Sequence, residues 1–302
     1  MTGRFAPSPT GVLHLGNLRT ALLAWLFARA AGSAFLVRME DLDTGRVRAG
    51  MAERQLADLA AIGIDWDGEV VRQSARRSRY DAALAALRDR ERLYECFCTR
   101  AEIRAAASAP HGPLPEGAYP GTCRDLTVQQ RAARRADGRS PALRVRADAA
   151  RVEFDDRLHG RSGGVVDDFV VARNDGAPAY NLAVVVDDAA QGIEEVVRGD
   201  DLLDSTPRQL WLADALGLPR PRHAHVPLVL GPDGARLAKR HGSVTLDDVP
   251  ADAAVAWMAR SLGLPEATRA PELIDEFDPD ALPSEPTVFT GVRFGQPPSG
   301  AV

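Results

Sequence analysis

A single lysine in an arginine-rich chain is the first residue whose type points to chemistry. The sequence has 37 basic residues, and all of them except Lys239 are arginines. A lysine ammonium meets a phosphate as a flexible point charge, whereas arginine presents a rigid, planar set of donors. Lys239 lies in the basic stretch 236–240, after the apolar pair 229–230 and a Pro-Asp-Gly turn at 232–234, and before Gly242. This pattern predicts a mobile cationic loop tethered to a strand; the alternatives are a chance lysine and an ordinary basic surface.

Three cysteines are the second candidate set, and their chemistry would be metal binding. Cys96 and Cys98 are separated from Cys123 by a loop rich in proline and glycine at 110–121. Three converging thiols could bind zinc, which takes four ligands in structural sites. The residues by themselves favour His111 as the fourth ligand. The alternative is three reduced thiols without a metal, and an odd number of cysteines suits a reducing compartment.

The elements that must position such groups are clearest in the first forty residues. Residues 3–6 predict a short buried strand, 7–11 a rigid turn, 18–31 an apolar helix capped by Gly32, and 34–39 a second strand. This β-α-β order predicts a parallel sheet with ligands at the carboxyl ends of its strands.

The turn before this helix is a candidate anion site. His14, Gly16 and Asn17 lie beside the predicted helix N-terminus, where backbone N–H groups can bind an anion. Gly11 and Gly16 have the spacing of a P-loop, but Asn17 and Leu18 replace its lysine and its hydroxyl residue. The turn fits neither that motif nor the glycine pattern of dinucleotide-binding folds.

Composition narrows the classes of function. The chain has 302 residues, 45% of them hydrophobic and 26% charged, which is typical of a globular protein with one large core or a few smaller ones. It has no long apolar segment and no secretory leader, so we expect a cytoplasmic protein. The net charge is −5, but arginine dominates 72–104 and 120–146, whereas acids dominate from Asp247 onward. The middle of the chain is therefore the candidate RNA-binding face.

The ordered set of these segments resembles the class I glutamyl-tRNA synthetases. The segments are Arg4 to Gly11, His14 to Asn17, Glu40-Asp41, and Arg236 to Arg240. The resemblance implies an α/β, Rossmann-like class I aminoacyl-tRNA synthetase fold in which the histidine turn and the lysine loop hold ATP from two sides. Two departures stand out: Asn17 replaces the usual second histidine, and Arg236 and Ala238 replace the first lysine and the serine of the loop.

The same resemblance implies which residues bind the substrates. It assigns His14, Gly16 and Lys239 to catalysis, and these three with Asn17 to ATP. It assigns glutamate binding to the following set: Arg4, Phe5, Ala6, Pro7, Ser8, Glu40, Tyr180 and Arg198. Arg198, which follows an apolar run and precedes a glycine, can pair with a carboxylate in a bidentate way, and this favours glutamate over glutamine.

The chain resembles a short paralogue of that family, the glutamyl-queuosine tRNA(Asp) synthetases, more specifically. Cys96, Cys98, Tyr119 and Cys123 match its zinc pattern, which makes Tyr119 the fourth ligand instead of His111. The paralogue activates L-glutamate with ATP and Mg²⁺ without tRNA, and then transfers the glutamyl group to the cyclopentenediol of queuosine in the anticodon of tRNA(Asp). For this chain we expect that activity, one structural Zn²⁺, no membrane and a monomer.

Two other functions stay open. One is a truncated conventional glutamyl-tRNA synthetase that charges a tRNA 3′ end. The other is a non-catalytic RNA-binding paralogue, which the altered residues Arg236 and Ala238 make conceivable. Because few residues follow Arg240, we expect no anticodon-binding domain, and this favours the paralogue.

These expectations divide the chain into four parts. Residues 1–75 form the first half of the catalytic domain, 76–165 an inserted subdomain with the zinc site, 166–245 the second half with the lysine loop, and 246–302 a short helical region with a flexible tail.

Two further helices are predicted. One, at the start of the inserted region, has Tyr80, Leu84 and Leu87 on one face, and the other runs from about 247–250 to Leu262.

Overall fold

A computed structural model describes residues 2–99, 101–103, 118–235, 237 and 244–289, and these residues form an α/β structure. The strands are β1 (Gly3–Phe5), β2 (Phe35–Met39), β3 (Val71–Arg72), β4 (Leu93–Cys96), β5 (Ala142–Val145), β6 (Arg151–Asp156), β7 (Gly160–Val165), β8 (Val170–Ala172), β9 (Glu195–Gly199), β10 (Arg222–Val226), β11 (Val229–Leu230) and β12 (Thr287–Val288). The helices are α1 (Leu15–Ala30), α2 (Met51–Ala61), α3 (Arg77–Asp89), α4 (Val128–Ala136), α5 (Tyr180–Ala190), α6 (Thr206–Leu216) and α7 (Ala251–Ser261).

Two sets of parallel strands adjoin to form the central layer. Strand β2 pairs in parallel with β1 and β3, and β10 pairs in parallel with β9 and β6, while β7 runs antiparallel to β6. The sets meet where the Thr2 carbonyl accepts hydrogen bonds from the Glu194 and Glu195 N–H groups at 2.9 and 3.3 Å. The carboxyl ends of β1, β2, β9 and β10 therefore lie along one edge, as the β-α-β pattern predicts.

Helix α1 packs in the largest hydrophobic core because it is apolar on nearly every side. Its residues from Leu15 to Ala28 are mostly buried, together with β1, β2 and α7. The helix begins at Leu15, three residues before the predicted start at Leu18. The reason is a reciprocal cap: the His14 Nδ1 accepts from the Asn17 N–H, and the Asn17 Oδ1 accepts from the His14 N–H, each at 3.3 Å.

Two strands from the predicted insertion, β4 and β5, form a separate three-stranded antiparallel sheet with β8, which follows it, in the order β4-β5-β8. Helix α3 buries Tyr80, Leu84 and Leu87 on one face, as its periodicity predicts. The hairpin of β6 and β7, which the sequence assigns to the insertion, pairs with β10 of the central layer. The division into domains stays a prediction.

The C-terminal part contains the predicted helix and one strand that the sequence does not predict. Helix α7 runs from Ala251 to Ser261, and Gly263 takes a left-handed φ of 72° just after it. Strand β12 lies within the segment expected to be a tail, but it pairs in parallel with β11. Its short, Pro-flanked sequence gives no strand signal without this partner. None of the helices in the described part of the chain has the length and apolar character needed to cross a bilayer.

Candidate functional site

A cavity of about 790 Å³ opens at the carboxyl edge of the central strands. Its lining includes every described residue that the sequence assigns to glutamate, ATP or catalysis: Arg4, Phe5, Ala6, Pro7, Ser8, His14, Gly16, Asn17, Glu40, Tyr180 and Arg198. Strand β1 and the turn after it contribute the first five, the end of β2 contributes Glu40, and β9 contributes Arg198. Residues far apart in sequence therefore line one space.

A buried ion-pair network fixes the charged groups at the floor of this cavity. Arg4 donates through Nε and NH2 to the two carboxylate oxygens of Asp188, both at 3.3 Å. Arg38 donates to the same Asp188 at 2.7 Å and to Glu40 at 3.3 Å. The cations satisfy the buried carboxylates, which would otherwise be costly in this interior.

The network shifts the pKa values of its two carboxyl groups in opposite directions. The Asp188 pKa lies below its ordinary value because the charges and hydrogen bonds of Arg4 and Arg38 outweigh burial. The Glu40 pKa is raised because burial outweighs the attraction of Arg38 and Arg4. A cation held by Glu40 would therefore be released on acidification at a higher pH than a cation held by an ordinary glutamate.

Arg198 differs from Arg4 and Arg38 because no carboxylate in the described residues forms a salt bridge with it. Its partners are the His225 Nε2 at 3.1 Å, the Gln209 Oε1 at 2.7 Å and the Thr206 Oγ1 at 2.8 Å, with a weaker contact to the Leu202 carbonyl at 3.4 Å. Only 5% of the residue is exposed, and burial lowers its pKa. One of the NH1 hydrogens has no acceptor in the described residues, so the protein uses only part of the hydrogen-bonding capacity of this guanidinium. A buried cation of this kind favours an anionic ligand.

At the other end of the cavity, the start of α1 is organised by His14. Two of the N–H groups at this helix start are already occupied, since the Asn17 N–H donates to His14 and the Leu15 N–H donates to the Val244 carbonyl at 2.9 Å. The helix N-terminus is thus less open to an anion than the sequence predicts. A Cβ added to Gly16 would lie 3.1 Å from two atoms of the His14 ring.

We expect Gly16→Ala to displace the His14 ring, because the added methyl group needs the space that the ring occupies. The measurement is the KM for ATP in pyrophosphate exchange, which should rise roughly tenfold, the equivalent of about 1.4 kcal/mol. Gly45→Ala, where the nearest atom to an added Cβ is 3.9 Å away, is the matched control. A normal KM for ATP in Gly16→Ala would contradict the role of this close contact.

Of the predicted lysine loop 236–240 the structure describes Leu237 alone, so Arg236, Ala238 and Lys239 lie outside the described residues. Its described neighbours are anchored beside the cavity. The Leu237 N–H donates to the Val229 carbonyl at 2.9 Å, and the Val244 carbonyl accepts from the first residue of α1. The chain therefore enters and leaves this segment next to His14.

The three cysteines lie close together in the predicted insertion, and the Tyr119 hydroxyl lies beside them as a candidate fourth ligand. The three sulfurs lie within 4.8 Å of one another, and the Sγ atoms of Cys98 and Cys123 are 3.4 Å apart. The Tyr119 hydroxyl is 3.4 Å from the Cys96 Sγ and 3.7 Å from the Cys98 Sγ. A tetrahedral Zn²⁺ with bonds of about 2.3 Å to sulfur and about 2.0 Å to oxygen needs ligand atoms roughly 3.5–3.8 Å apart. The donor set fits zinc, whereas His111 lies outside the described residues.

The surroundings orient these ligands. The Cys123 N–H donates to the Tyr119 hydroxyl at 2.7 Å, and the Arg144 guanidinium lies 3.7 Å from the centre of the Tyr119 ring. Burial raises the pKa of the Cys98 thiol to about 12. Burial also acts to raise the pKa of Cys123, but hydrogen bonds, first of all from the Phe97 N–H, bring it below its ordinary value. A cation would be needed to keep Cys98 as a thiolate.

A second cavity, of about 1210 Å³, connects the cysteine cluster to the first cavity. Cys96 and Cys98 line it, and so do four arginines: Arg46, Arg139, Arg144 and Arg173. The two cavities share Ser8, Glu40, Arg46 and Tyr180, so they form one continuous cleft. Tyr180 is 43% exposed at this junction.

The sequence did not identify several groups that position the site. Gln55 donates to the Ser8 and Gly11 carbonyls at 3.1 and 2.7 Å and thereby holds the turn after β1. Asp188 holds Arg4 and Arg38, and His225 holds Arg198. A buried polar residue inside an apolar helix or strand, such as Asp188 in α5, is the one sequence signal that could have indicated them.

Comparisons with known proteins agree with this geometry. Residues 1–260 match the family described as tRNA synthetases class I (E and Q), catalytic domain. The Glutamyl-Q tRNA(Asp) synthetase of Nocardia farcinica is 62% identical over 98% of this chain and 95% of its own length, and that of Symbiobacterium thermophilum is 52% identical over 95% of both. A solved glutamate tRNA ligase from Elizabethkingia meningosepticum, in complex with its amino acid, aligns with a TM-score of 0.81 at 28% identity, over 96% of this chain and 67% of that one. The class I synthetase fold predicted from the sequence is confirmed.

Proposed function

We propose that this chain, which belongs to the family of class I tRNA synthetase (E and Q) catalytic domains, activates L-glutamate with ATP and transfers the glutamyl group to queuosine of tRNA(Asp). The class of enzyme is a ligase of the aminoacyl-tRNA synthetase type. The observation that carries the proposal is the first cavity, where a buried cation without a carboxylate partner among the described residues lies in the same space as a paired arginine and a paired glutamate.

Glutamate has one charge for each of these groups. We infer that Arg198 binds one substrate carboxylate, which provides the missing counter-charge. Arg4 supports the second carboxylate from its position beside Asp188, and Glu40 accepts the ammonium. Ser8 and Tyr180 line the cavity between them, with the backbone of residues 5–7.

Class I synthetases use ATP with Mg²⁺, and we infer that ATP occupies the His14 end of the cavity. Negative charge develops on the α-phosphate as the carboxylate attacks it, so fixed donors and cations at this end stabilise the transition state. His14, Gly16 and Asn17, at the start of α1, would provide the fixed donors. Lys239 follows Leu237, whose N–H is anchored at the Val229 carbonyl beside this end of the cavity, and it would supply the mobile charge.

We expect Lys239→Arg, which keeps the charge but changes its shape, to lower the rate of glutamyl-adenylate formation at least tenfold. Pyrophosphate exchange at saturating glutamate measures this rate. Arg240→Lys makes the reverse exchange at the adjacent position and keeps Lys239, so it is the control, with an expected rate near that of the parent. An unchanged rate in Lys239→Arg would show that the only lysine has no special role.

We further propose one structural Zn²⁺, held by Cys96, Cys98, Tyr119 and Cys123. Zinc would act by fixing the fold of the inserted region, because its ligands come from two segments that few apolar residues hold together. The metal takes no part in the activation step, since these ligands lie outside the first cavity.

The second cavity provides room for the acceptor nucleoside of the tRNA. It opens into the glutamate pocket at Glu40 and Tyr180, and its arginines suit a polyanionic partner. Helix α4 contains no buried residue and has Arg131, Arg134 and Arg135, which makes it a candidate surface for the RNA backbone. A monomer in the cytoplasm stays our prediction from the sequence.

One experiment distinguishes the candidate functions. Glutamate-dependent pyrophosphate exchange is measured without tRNA, and then labelled glutamate is offered to tRNA(Asp) with and without queuosine and to tRNA(Glu). We expect exchange, and transfer only to the queuosine-containing tRNA(Asp). Transfer to the 3′ end of tRNA(Glu) would favour a conventional synthetase, and absence of exchange would favour a non-catalytic RNA-binding protein.

A further inference from the structure

A buried chain of hydrogen bonds connects Arg198 to a carboxylate two strands away. Asp156 at the end of β6 contacts the His225 Nδ1 at 2.6 Å, and the His225 Nε2 contacts the Arg198 Nε at 3.1 Å. The side chains of Asp156 and His225 are fully buried. The three strands β6, β10 and β9 are adjacent, so each step of the chain crosses one strand interval.

The donors and acceptors in this chain permit only one tautomer of His225. The Arg198 Nε–H can only donate, so the His225 Nε2 must accept and carries no proton. The imidazole proton therefore lies on Nδ1, where it donates to Asp156. The Thr206 hydroxyl, 3.1 Å from the same Nε2, is compatible with this assignment because it can also donate there.

Asp156 is held as an ionised acceptor by its other contacts. Its oxygens accept the backbone N–H groups of Leu158 and His159 at 3.1 Å and of His225 at 3.2 Å. These bonds and the His225 contact lower its pKa despite burial, and burial lowers the pKa of His225. The imidazole is thus neutral, and it gives Arg198 an acceptor without giving it a counter-ion.

We propose that His225 is a positioning residue for substrate selection: locked in its Nδ1–H form by Asp156, it orients Arg198 toward the cavity and leaves that cation in need of a substrate carboxylate. This inference rests on the proposed role of Arg198, and it identifies Asp156 and His225 as the groups that make Arg198 selective for a carboxylate. Were the direct partner a carboxylate, Arg198 would be neutralised and a carboxamide would bind nearly as well. A neutral imidazole orients the guanidinium and keeps the preference for glutamate over glutamine.

The first test needs no activity. Nitrogen-15 NMR of the histidine-labelled protein distinguishes the two tautomers, and we expect the His225 proton on Nδ1. A proton on Nε2 would overturn the inference, whether or not the protein activates glutamate.

The second test compares His225→Asn with His223→Asn in pyrophosphate exchange. The shorter carboxamide introduced by His225→Asn can still reach Asp156 but lacks an acceptor at the Nε2 position. His223 is the matched control because it is also buried on the same strand and its ring stacks on that of His225 at 5.7 Å. We expect His225→Asn to raise the KM for glutamate roughly 10- to 100-fold, to reduce discrimination against glutamine, and to leave the KM for ATP within about twofold. His225→Gln, whose Oε1 can accept from Arg198, should recover part of the loss.

Equal rises in the KM for both substrates, or the same effect in His223→Asn, would show a merely structural role and overturn the inference. Absence of glutamate-dependent exchange in the parent protein would instead reject the proposed function, and the NMR result would then decide the tautomer by itself.

Discussion

Arg198→Gln should abolish most glutamate activation while leaving the protein at least as stable as the parent. The guanidinium is buried without a carboxylate partner in the described residues, so in the free protein its charge is costly. Its removal takes away the counter-charge for a substrate carboxylate, at a cost of about 3–4 kcal/mol of binding and transition-state stabilisation, which is roughly 10²- to 10³-fold in kcat/KM. Pyrophosphate exchange gives the kinetic value, and thermal unfolding gives the Tm.

The pairing of these two readouts identifies the role of Arg198. A residue that only holds the fold would lose Tm and activity together, whereas a ligand-binding cation loses activity alone. Arg222→Gln is the matched control, because Arg222 lies at the opposite end of the adjacent strand β10 and is 4.0 Å from Glu195. A fall in Tm for Arg198→Gln, or similar kinetics in both variants, would contradict the assignment of Arg198 to the substrate.

Cys98→Ser should abolish the proposed zinc binding and affect the two half-reactions differently. The sulfur is 3.4 Å from the Cys123 Sγ and 3.7 Å from the Tyr119 hydroxyl, so its loss leaves too few ligands for a structural site. We expect zinc to fall from one ion per chain to none by elemental analysis. Because Cys98 lines the second cavity and not the first, pyrophosphate exchange should stay within about twofold, whereas transfer to tRNA should be lost.

Two further variants distinguish the fourth ligand. Tyr119→Phe keeps the ring under Arg144 but removes the oxygen beside Cys96, and it should weaken zinc binding roughly 10- to 100-fold or more. His111→Ala should leave zinc binding unchanged. The reverse result would make His111 the ligand, and a parent protein without stoichiometric zinc would reject the site altogether.

Prediction from the sequence succeeded where local pattern and residue type carry the information. The strands β1 and β2, the face of α3 with Tyr80, Leu84 and Leu87, and the end of α7 at Gly263 all follow from apolar period and turn residues. It failed at the start of α1, where a histidine cap replaced the usual signals, and at β12, which exists only because β11 lies beside it.

The sequence by itself determined which chemical groups are present and in what order: the histidine turn, the glutamate after β2, the arginine before Gly199, the cysteine set and the only lysine. The tertiary structure alone decided their electrostatic state. Arg4, Arg38 and Arg198 are the same residue type, but Asp188 pairs with the first two, whereas a neutral imidazole faces the third. The strength of a charge depends on burial and on partners from distant strands, and no local pattern encodes either.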